Sequence, residues 1–404
     1  MTNSQARPIK DYCLGIFDGP HATPKESEHG PVFLGIKNLT NDGRLDLVEI
    51  RHVSEEEFPR WTRRVTPQEG DVVFTYEATL HRYAVIPEGF RGCLGRRVAL
   101  VRPDPNQVDS RYLLYYFLSY QWRQVVEGSI ISGATVDRIP LEKFPSFPIG
   151  LPSLPVQREV ASILSTYDEL IENNRRRMAL LEEAARQLYH EWFVRLRFPG
   201  HEHTRIVDGV PDGWEEVSAS EILDINPKEK IEKGSAATYV PMSSISESGM
   251  TVDGGDFEHR TKYTSIKFRN GDTLFARITP SLENGKTGYV DFLGENEIAC
   301  GSTEIIVLRG SLVSPFFTYC LARTYNFREN AIKSMIGSSG RQRVQNSCFD
   351  KFRLPLPPVV LLDVFDRTAG PCFKQIKNLA AQNHRLRTAR DLILPRLMNG
   401  EIAV

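Results

Sequence analysis

The sequence predicts an α+β protein in which one globular domain is written twice, each copy followed by a long helix. Three observations lead there. Gly70-Asp71-Val72-Val73-Phe74 returns 201 positions later as Gly271-Asp272-Thr273-Leu274-Phe275. The glycine of Ser132-Gly133-Ala134-Thr135-Val136 returns 207 positions on, in Ser339-Gly340-Arg341-Gln342-Arg343-Val344, and Lys143-Phe144 returns as Lys351-Phe352. A helical segment with an apolar seam follows each copy, the two offset by 205. Residues 30–190 and 235–397 therefore carry one order of features, with small drifts where loops change length. A repeat much longer than about 50 residues is a duplicated domain rather than a solenoid unit.

The first copy, residues 1–150, shows short β-like runs at Val32–Ile36, Asp71–Tyr76 and Val98–Arg102, then a helical stretch over Ser110–Val126. The second, residues 205–355, repeats them at Tyr239–Pro241, Asp272–Arg277 and Glu304–Leu308, with a helix near Pro315–Ile332. Short strands mixed with a few helices give the α+β class.

Between the copies, residues 151–197 form a central helix. From Val160, positions Leu164, Tyr167, Ile171, Asn174, Met178, Leu181, Ala185, Leu188 and Trp192 follow at alternating intervals of four and three, and only Asn174 is polar. That is a coiled-coil seam. Pro155 suits a helix start, and the intervening faces carry Arg175, Arg176, Arg177, Glu182 and Glu183. The second seam, within residues 356–404, reads Cys372, Ile376, Leu379, Asn383, Leu386, Arg390 and Ile393; the helix should start after Gly370-Pro371 and break at Pro395. Each helix needs a partner and the chain supplies one, so the two should pack antiparallel. Asn383 corresponds to position 178 of the first helix, and twofold pairing about the helix midpoint brings it to Asn174. Two amides meeting there satisfy each other and fix the register.

Composition bounds the function. With 41% apolar and 25% charged residues, the 404-residue chain has ordinary globular composition and room for two or three cores. No apolar run approaches the roughly 20 residues of a membrane span, and the polar start Met1–Arg7 is unlike a signal peptide. Cytoplasm is the expectation. The six cysteines at 13, 93, 300, 320, 348 and 372 include no Cys-x-x-Cys pair, so neither a zinc site nor a disulfide framework is expected. A net charge of −1 lacks the basic excess of a protein that holds nucleic acid by bulk electrostatics. Locally, though, residues 260–286 gather Arg260, Lys262, Lys267, Arg269, Arg277 and Lys286 against only Asp272 and Glu283.

Several segments together resemble the specificity subunit of type I restriction-modification systems. Leu151-Pro152-Ser153-Leu154-Pro155-Val156-Gln157-Arg158-Glu159-Val160 is similar to the start of that family's first conserved helix, and Glu191-Trp192-Phe193 to its exit. Pro211-Asp212-Gly213-Trp214 resembles the opening of a recognition domain. Arg277-Ile278-Thr279-Pro280-Ser281-Leu282-Glu283-Asn284-Gly285-Lys286 and Gly337–Val344 resemble recognition-domain loops, and Leu394–Ile402 resembles the closing motif. The first copy departs from the pattern, with Tyr76-Glu77-Ala78-Thr79-Leu80-His81-Arg82 in place of the second copy's loop.

The resemblance implies two target recognition domains, each reading half of a split double-stranded DNA site and related by an approximate twofold axis. Helices between them would set the spacing and dock two methylation subunits, with restriction subunits joining through the assembled complex. The chain itself would do no chemistry and hold no cofactor or metal; S-adenosylmethionine, ATP and Mg would belong to partner subunits. No Asn/Asp-Pro-Pro-aromatic methyltransferase tetrapeptide and no phosphate-loop motif is present. Asn284-Gly285-Lys286-Thr287 lacks the motif's earlier glycine, because Pro280 stands there.

Candidate DNA contacts follow by residue type. Arg277, Thr279, Ser281, Asn284, Lys286 and Lys262 come from the basic segment, and Ser339, Arg341 and Arg343 from the second loop. His81, Arg82, Thr135 and Arg138 are the first copy's candidates. On residues alone Asn284-Gly285 reads more simply as a hairpin turn, and the arginine run 175–177 as a solvated face. His201 and His203 lack a surrounding ligand cluster. The alternative function is a duplicated scaffold that binds proteins or glycans.

Overall fold

In the computed structural model, which describes residues 6–132, 136–232, 234–263, 265–338 and 340–404, the chain divides into two compact units. One is Met1–Ile171 with Arg385–Val404; the other is Glu172–His384. The first unit contains β1 (Cys13–Asp18), β2 (Ser27–Leu34), β3 (Arg51–His52), β4 (Val72–Thr75), β5 (Tyr83–Val85), β6 (Gly92–Leu94) and β7 (Val98–Pro103). Helices α1 (Ser110–Leu118) and α2 (Tyr120–Glu127) follow, and then the long helix α3 (Leu154–Tyr189) begins. The second contains β8 (Leu223–Ile225), β9 (Ala237–Val240), β10 (Glu258–Arg260), β11 (Lys267–Phe268), β12 (Thr273–Ala276), β13 (Thr287–Tyr289), β14 (Ala299–Gly301) and β15 (Ile305–Gly310). It continues through α4 (Pro315–Ala322) and α5 (Tyr325–Lys333) into the long helix α6 (Val359–Met398).

The two units share one topology. An antiparallel sheet ordered β1-β7-β4-β5 in the first is matched by β8-β15-β12-β13 in the second. A smaller sheet pairs β2 parallel with β6 and antiparallel with β3; its counterpart pairs β9 parallel with β14 and antiparallel with β10, and adds β11 at one edge. The duplicated α+β reading of the sequence is thus the observed fold.

The central strands β4 and β12 are buried throughout, which explains their mostly apolar sequence, with one buried threonine in each, Thr75 and Thr273. Alternate residues face opposite sides. Val72 and Phe74 pack with Tyr112, Phe117 and Trp122 of the helices, whereas Val73 packs with Leu34, Ile86, Leu94 and Leu100 on the other face. In the second unit Phe275 joins the helix-side core and Leu274 the core shared with Val240, Phe268 and Val307. Each strand follows a turn whose glycine, Gly70 (φ 83°) or Gly271 (φ 91°), adopts the left-handed conformation. The next residue, Asp71 or Asp272, is buried and holds an arginine from the neighbouring strand. Arg102 donates to both Asp71 oxygens at 2.8 Å, and Arg309 to Asp272 at 2.6 and 2.8 Å.

Two helical expectations need correction. The stretch 110–126 is two helices, because the Ser119 hydroxyl accepts the Trp122 amide and caps a new start; Thr324 does the same for α5 by accepting the Phe327 amide. The second long helix does not wait for Gly370-Pro371, nor does it break at Pro395. It starts at Val359 and runs through both prolines. Leu362, Phe365, Ala369, Phe373 and Ile376 straddle Pro371 on the buried face, and Ile393, Leu394, Leu397 and Met398 straddle Pro395. Tertiary packing there outweighs the lost backbone bonds.

Within each unit the long helices run antiparallel. Asp168 of α3 meets Arg390 of α6 in the first unit; in the second, Asn174 meets Asn383 and Tyr189 packs on Phe365.

Candidate nucleic-acid interface

In each unit the segment leaving the central strand pairs with a second loop. After β12, the Thr279 amide donates to Gln342, the Val344 amide donates to Arg277, and Ile278 bridges Arg343. After β4, Ala78 donates to Asp137, Ile139 donates to Tyr76, and Glu77 bridges Arg138. The two loops that the sequence offered as recognition loops are therefore adjacent backbone segments in both units. Arg138 and Arg343, 205 positions apart, occupy equivalent places.

The candidates of the second unit differ in how free they are. Lys262 and Arg341 are exposed, with no side-chain partner among the described residues. Arg277 is half-buried; one terminal nitrogen donates to the Val344 carbonyl at 2.9 Å, and its Nε lies buried without a partner among the described residues. Thr279 Oγ1 faces the Gln342 carbonyl at 3.4 Å, and Ser281 is half-buried, its carbonyl accepting the Lys286 amide. Asn284 is exposed and donates to Glu247 at 3.1 Å. The Lys286 ammonium is turned inward onto the Met242 carbonyl at 3.1 Å. Arg343 is tied to Glu304 by Nε at 2.8 Å and Nη2 at 2.6 Å. Ser339 lies outside the described residues.

Gly285 shows why this hairpin can exist. Its φ is 83°, and an added Cβ would sit 2.7 Å from the Arg328 guanidinium. Arg323, almost fully buried, donates to the Gly285, Glu247 and Ser248 carbonyls and so fastens the hairpin to its neighbour. Glu182 on α3 completes the clamp by accepting the Met250 amide at 2.7 Å and the Tyr319 hydroxyl at 2.6 Å. The sequence reading placed Glu182 on a face beside the apolar seam and overlooked Arg323. Apart from its charged type, Arg323 carried no pattern that would have singled it out.

In the first unit Arg138 is exposed and lacks a side-chain partner among the described residues. Arg82 is a different kind of residue from the one expected: it points back into the fold, donating to Asn41 and to the Ile36 and Leu39 carbonyls. His81 is half-buried, 3.8 Å from Glu127, and burial with the nearby Arg123 holds its pKa below the ordinary value. Thr135 falls outside the described residues. An ion pair the sequence did not suggest, Arg97 with Glu77 at 2.8 Å, stands beside Arg138.

Along the helices, Leu164, Ile171, Asn174, Ile376 and Asn383 are buried, and Leu181, Leu188, Leu386 and Ile393 are half-buried. The Asn174 amide donates to Asn383 Oδ1 at 2.9 Å. Arg390, at an apolar seam position, is held by Asp168 at 2.5 Å, and Asp168 also accepts the buried Tyr115 hydroxyl at 2.6 Å.

Among the described residues no helix is long and apolar enough to cross a membrane, and no His/Cys/Asp/Glu cluster could hold a metal. A model of the type I restriction modification DNA specificity domain matches the chain twice, over residues 28–183 and 211–360. The chain belongs to that family. The type I restriction enzyme MjaIX specificity subunit of Methanocaldococcus jannaschii is 24% identical over 98% of this chain and 89% of its own length. The EcoEI specificity subunit of Escherichia coli is 33% identical over a shorter stretch, 37% of this chain and 26% of that one. A crystal structure of a type I restriction-modification S subunit from M. genitalium shares the fold, with a TM-score of 0.50 at 15% identity and coverage of 97% and 95%. This specificity subunit therefore carries two duplicated target recognition domains, and the protein- or glycan-binding scaffold is not favoured.

Proposed function

We propose that each unit reads one half of a split duplex site through its paired loops, and that the long helices set the distance between the halves. The observation that supports this most directly is the recurrence of one loop pairing, 76–82 with 137–139 and 277–286 with 342–344, on one topology. Exposed Arg341, Lys262 and Arg138 supply charge for phosphate and base contact, while Arg82 and Lys286 hold the loops in shape. Methylation subunits dock on the helices, and restriction subunits join through the assembled complex. The chain contributes recognition and geometry; methyl transfer with S-adenosylmethionine, and ATP- and Mg-dependent steps, belong to partner subunits. Residues 1–150 and 205–355 serve as recognition domains, 151–197 and 356–404 as the helical spacer and tail.

The test is gel-shift binding and adenine-methylation sequencing of the chain co-produced with methylation subunits. A bipartite methylated motif is expected. Exchanging residues 205–355 for those of another specificity subunit should change one half of it. Methylation without a defined motif, or a change in both halves, would overturn the reading.

A further inference from the structure

Where the two loops meet, each unit carries an ion pair from one equivalent strand-end position, of opposite charge in the two units and reaching a different loop in each. Position 304, just before β15, is the counterpart of position 97, just before β7. In the second unit it is Glu304, and it grips Arg343 of the loop. In the first it is Arg97, and it grips Glu77 of the loop at 2.8 Å, leaving Arg138 unpaired among the described residues. The equivalent arginines thus differ in one respect: Arg343 is buttressed and Arg138 is not.

The buttress has a defined geometry. Glu304 takes the side-on edge of the guanidinium, using Nε and one N–H of Nη2. The end-on edge, Nη1 with the second N–H of Nη2, remains available, and the side chain is 46% exposed. Two parallel donors at that edge match the O6 and N7 acceptors that guanine presents in the major groove. An arginine whose χ angles are already fixed loses less freedom on engaging them. Arg277, which donates to the carbonyl of the next residue, Val344, adds positive charge that keeps an acidic side chain tolerable near DNA.

Resting on the half-site reading above, we propose that Arg343 reads a guanine in the second unit's half-site and that Glu304 is its positioning residue. Arg138 of the first unit, without a buttress, reads its half-site by a different code.

The experiment uses the full chain co-produced with methylation subunits in a host lacking the system, with methylated adenines sequenced genome-wide. The wild-type motif should contain a G·C pair in the half governed by the second unit. Arg343→Lys and Glu304→Gln should each relax that position, lowering discrimination by about tenfold, with the other half unchanged. Glu304→Gln is close in shape to the carboxylate, so retained thermal stability separates orientation from folding. A second half made only of A·T pairs, or one whose motif survives both substitutions intact, would overturn the inference and leave the bipartite reading standing. A wild-type chain that directs no defined motif would overturn the bipartite reading itself.

Discussion

Two polar sites of the second unit give residue-scale tests. Asn174 and Asn383 satisfy each other in a seam otherwise apolar around them. Asn174→Leu should cost about 1–3 kcal/mol by leaving the Asn383 amide without that partner. The double replacement Asn174→Leu/Asn383→Leu should recover most of that loss, since an apolar pair needs no partner. Denaturant midpoints of the three variants decide it, and a double mutant no better than the single would refute the pairing argument. Asp291 offers a pH test. Burial lifts its pKa to about 6 from an ordinary 3.8, against the pull of Lys377. A raised pKa means this group supports folding below about 4 and ceases to as pH rises through 6. Asp291→Asn should therefore stabilise the protein by about 1–2 kcal/mol at pH 7–8, discounted for partial exposure, with no gain at pH 4. Thermal unfolding across that range measures it.

At the scale of elements, periodic features were legible and exceptions to local rules were not. The seam spacing located both long helices, and the repeated Gly-Asp turn located both central strands, because a buried face imposes its period on sequence. Ser119 and Thr324 were overlooked as caps inside apolar stretches. Pro371 was over-read as a start, although buried residues on both sides of it carry the helix through. The arginine partners of Asp71 and Asp272 lie 31 and 37 residues away, beyond any local pattern. Pro371 lacks the amide that would bond to the carbonyl four residues earlier, and its own side chain is exposed. Pro371→Ala should then stabilise α6 by about 1–3 kcal/mol, since a helix interior favours alanine by about 3. A lower melting temperature for that variant would mean the proline relieves packing strain instead.

For the whole molecule, the decisive property is that each unit owns its core. The clusters around Trp122 and around Leu100 draw only on the first unit, and those around Phe317 and Val307 only on the second. Among the described residues each of these clusters is built from one unit, so recognition should divide as the cores do. Arg138 and Arg341 are exposed loop arginines of the first and second units. Arg138→Ala should weaken binding to duplexes that carry a wild-type first half, and Arg341→Ala those that carry a wild-type second half. If the lost contact is to phosphate, the salt dependence falls by about one unit of slope and every sequence suffers equally. If it is to a base, the loss is about 1–3 kcal/mol and is confined to one position of one half. Binding of the assembled complex to duplexes altered in one half at a time, at several salt concentrations, separates these outcomes. A position-specific loss that falls in the second half for Arg138→Ala, or in the first half for Arg341→Ala, would contradict the division of labour that the duplicated architecture supports.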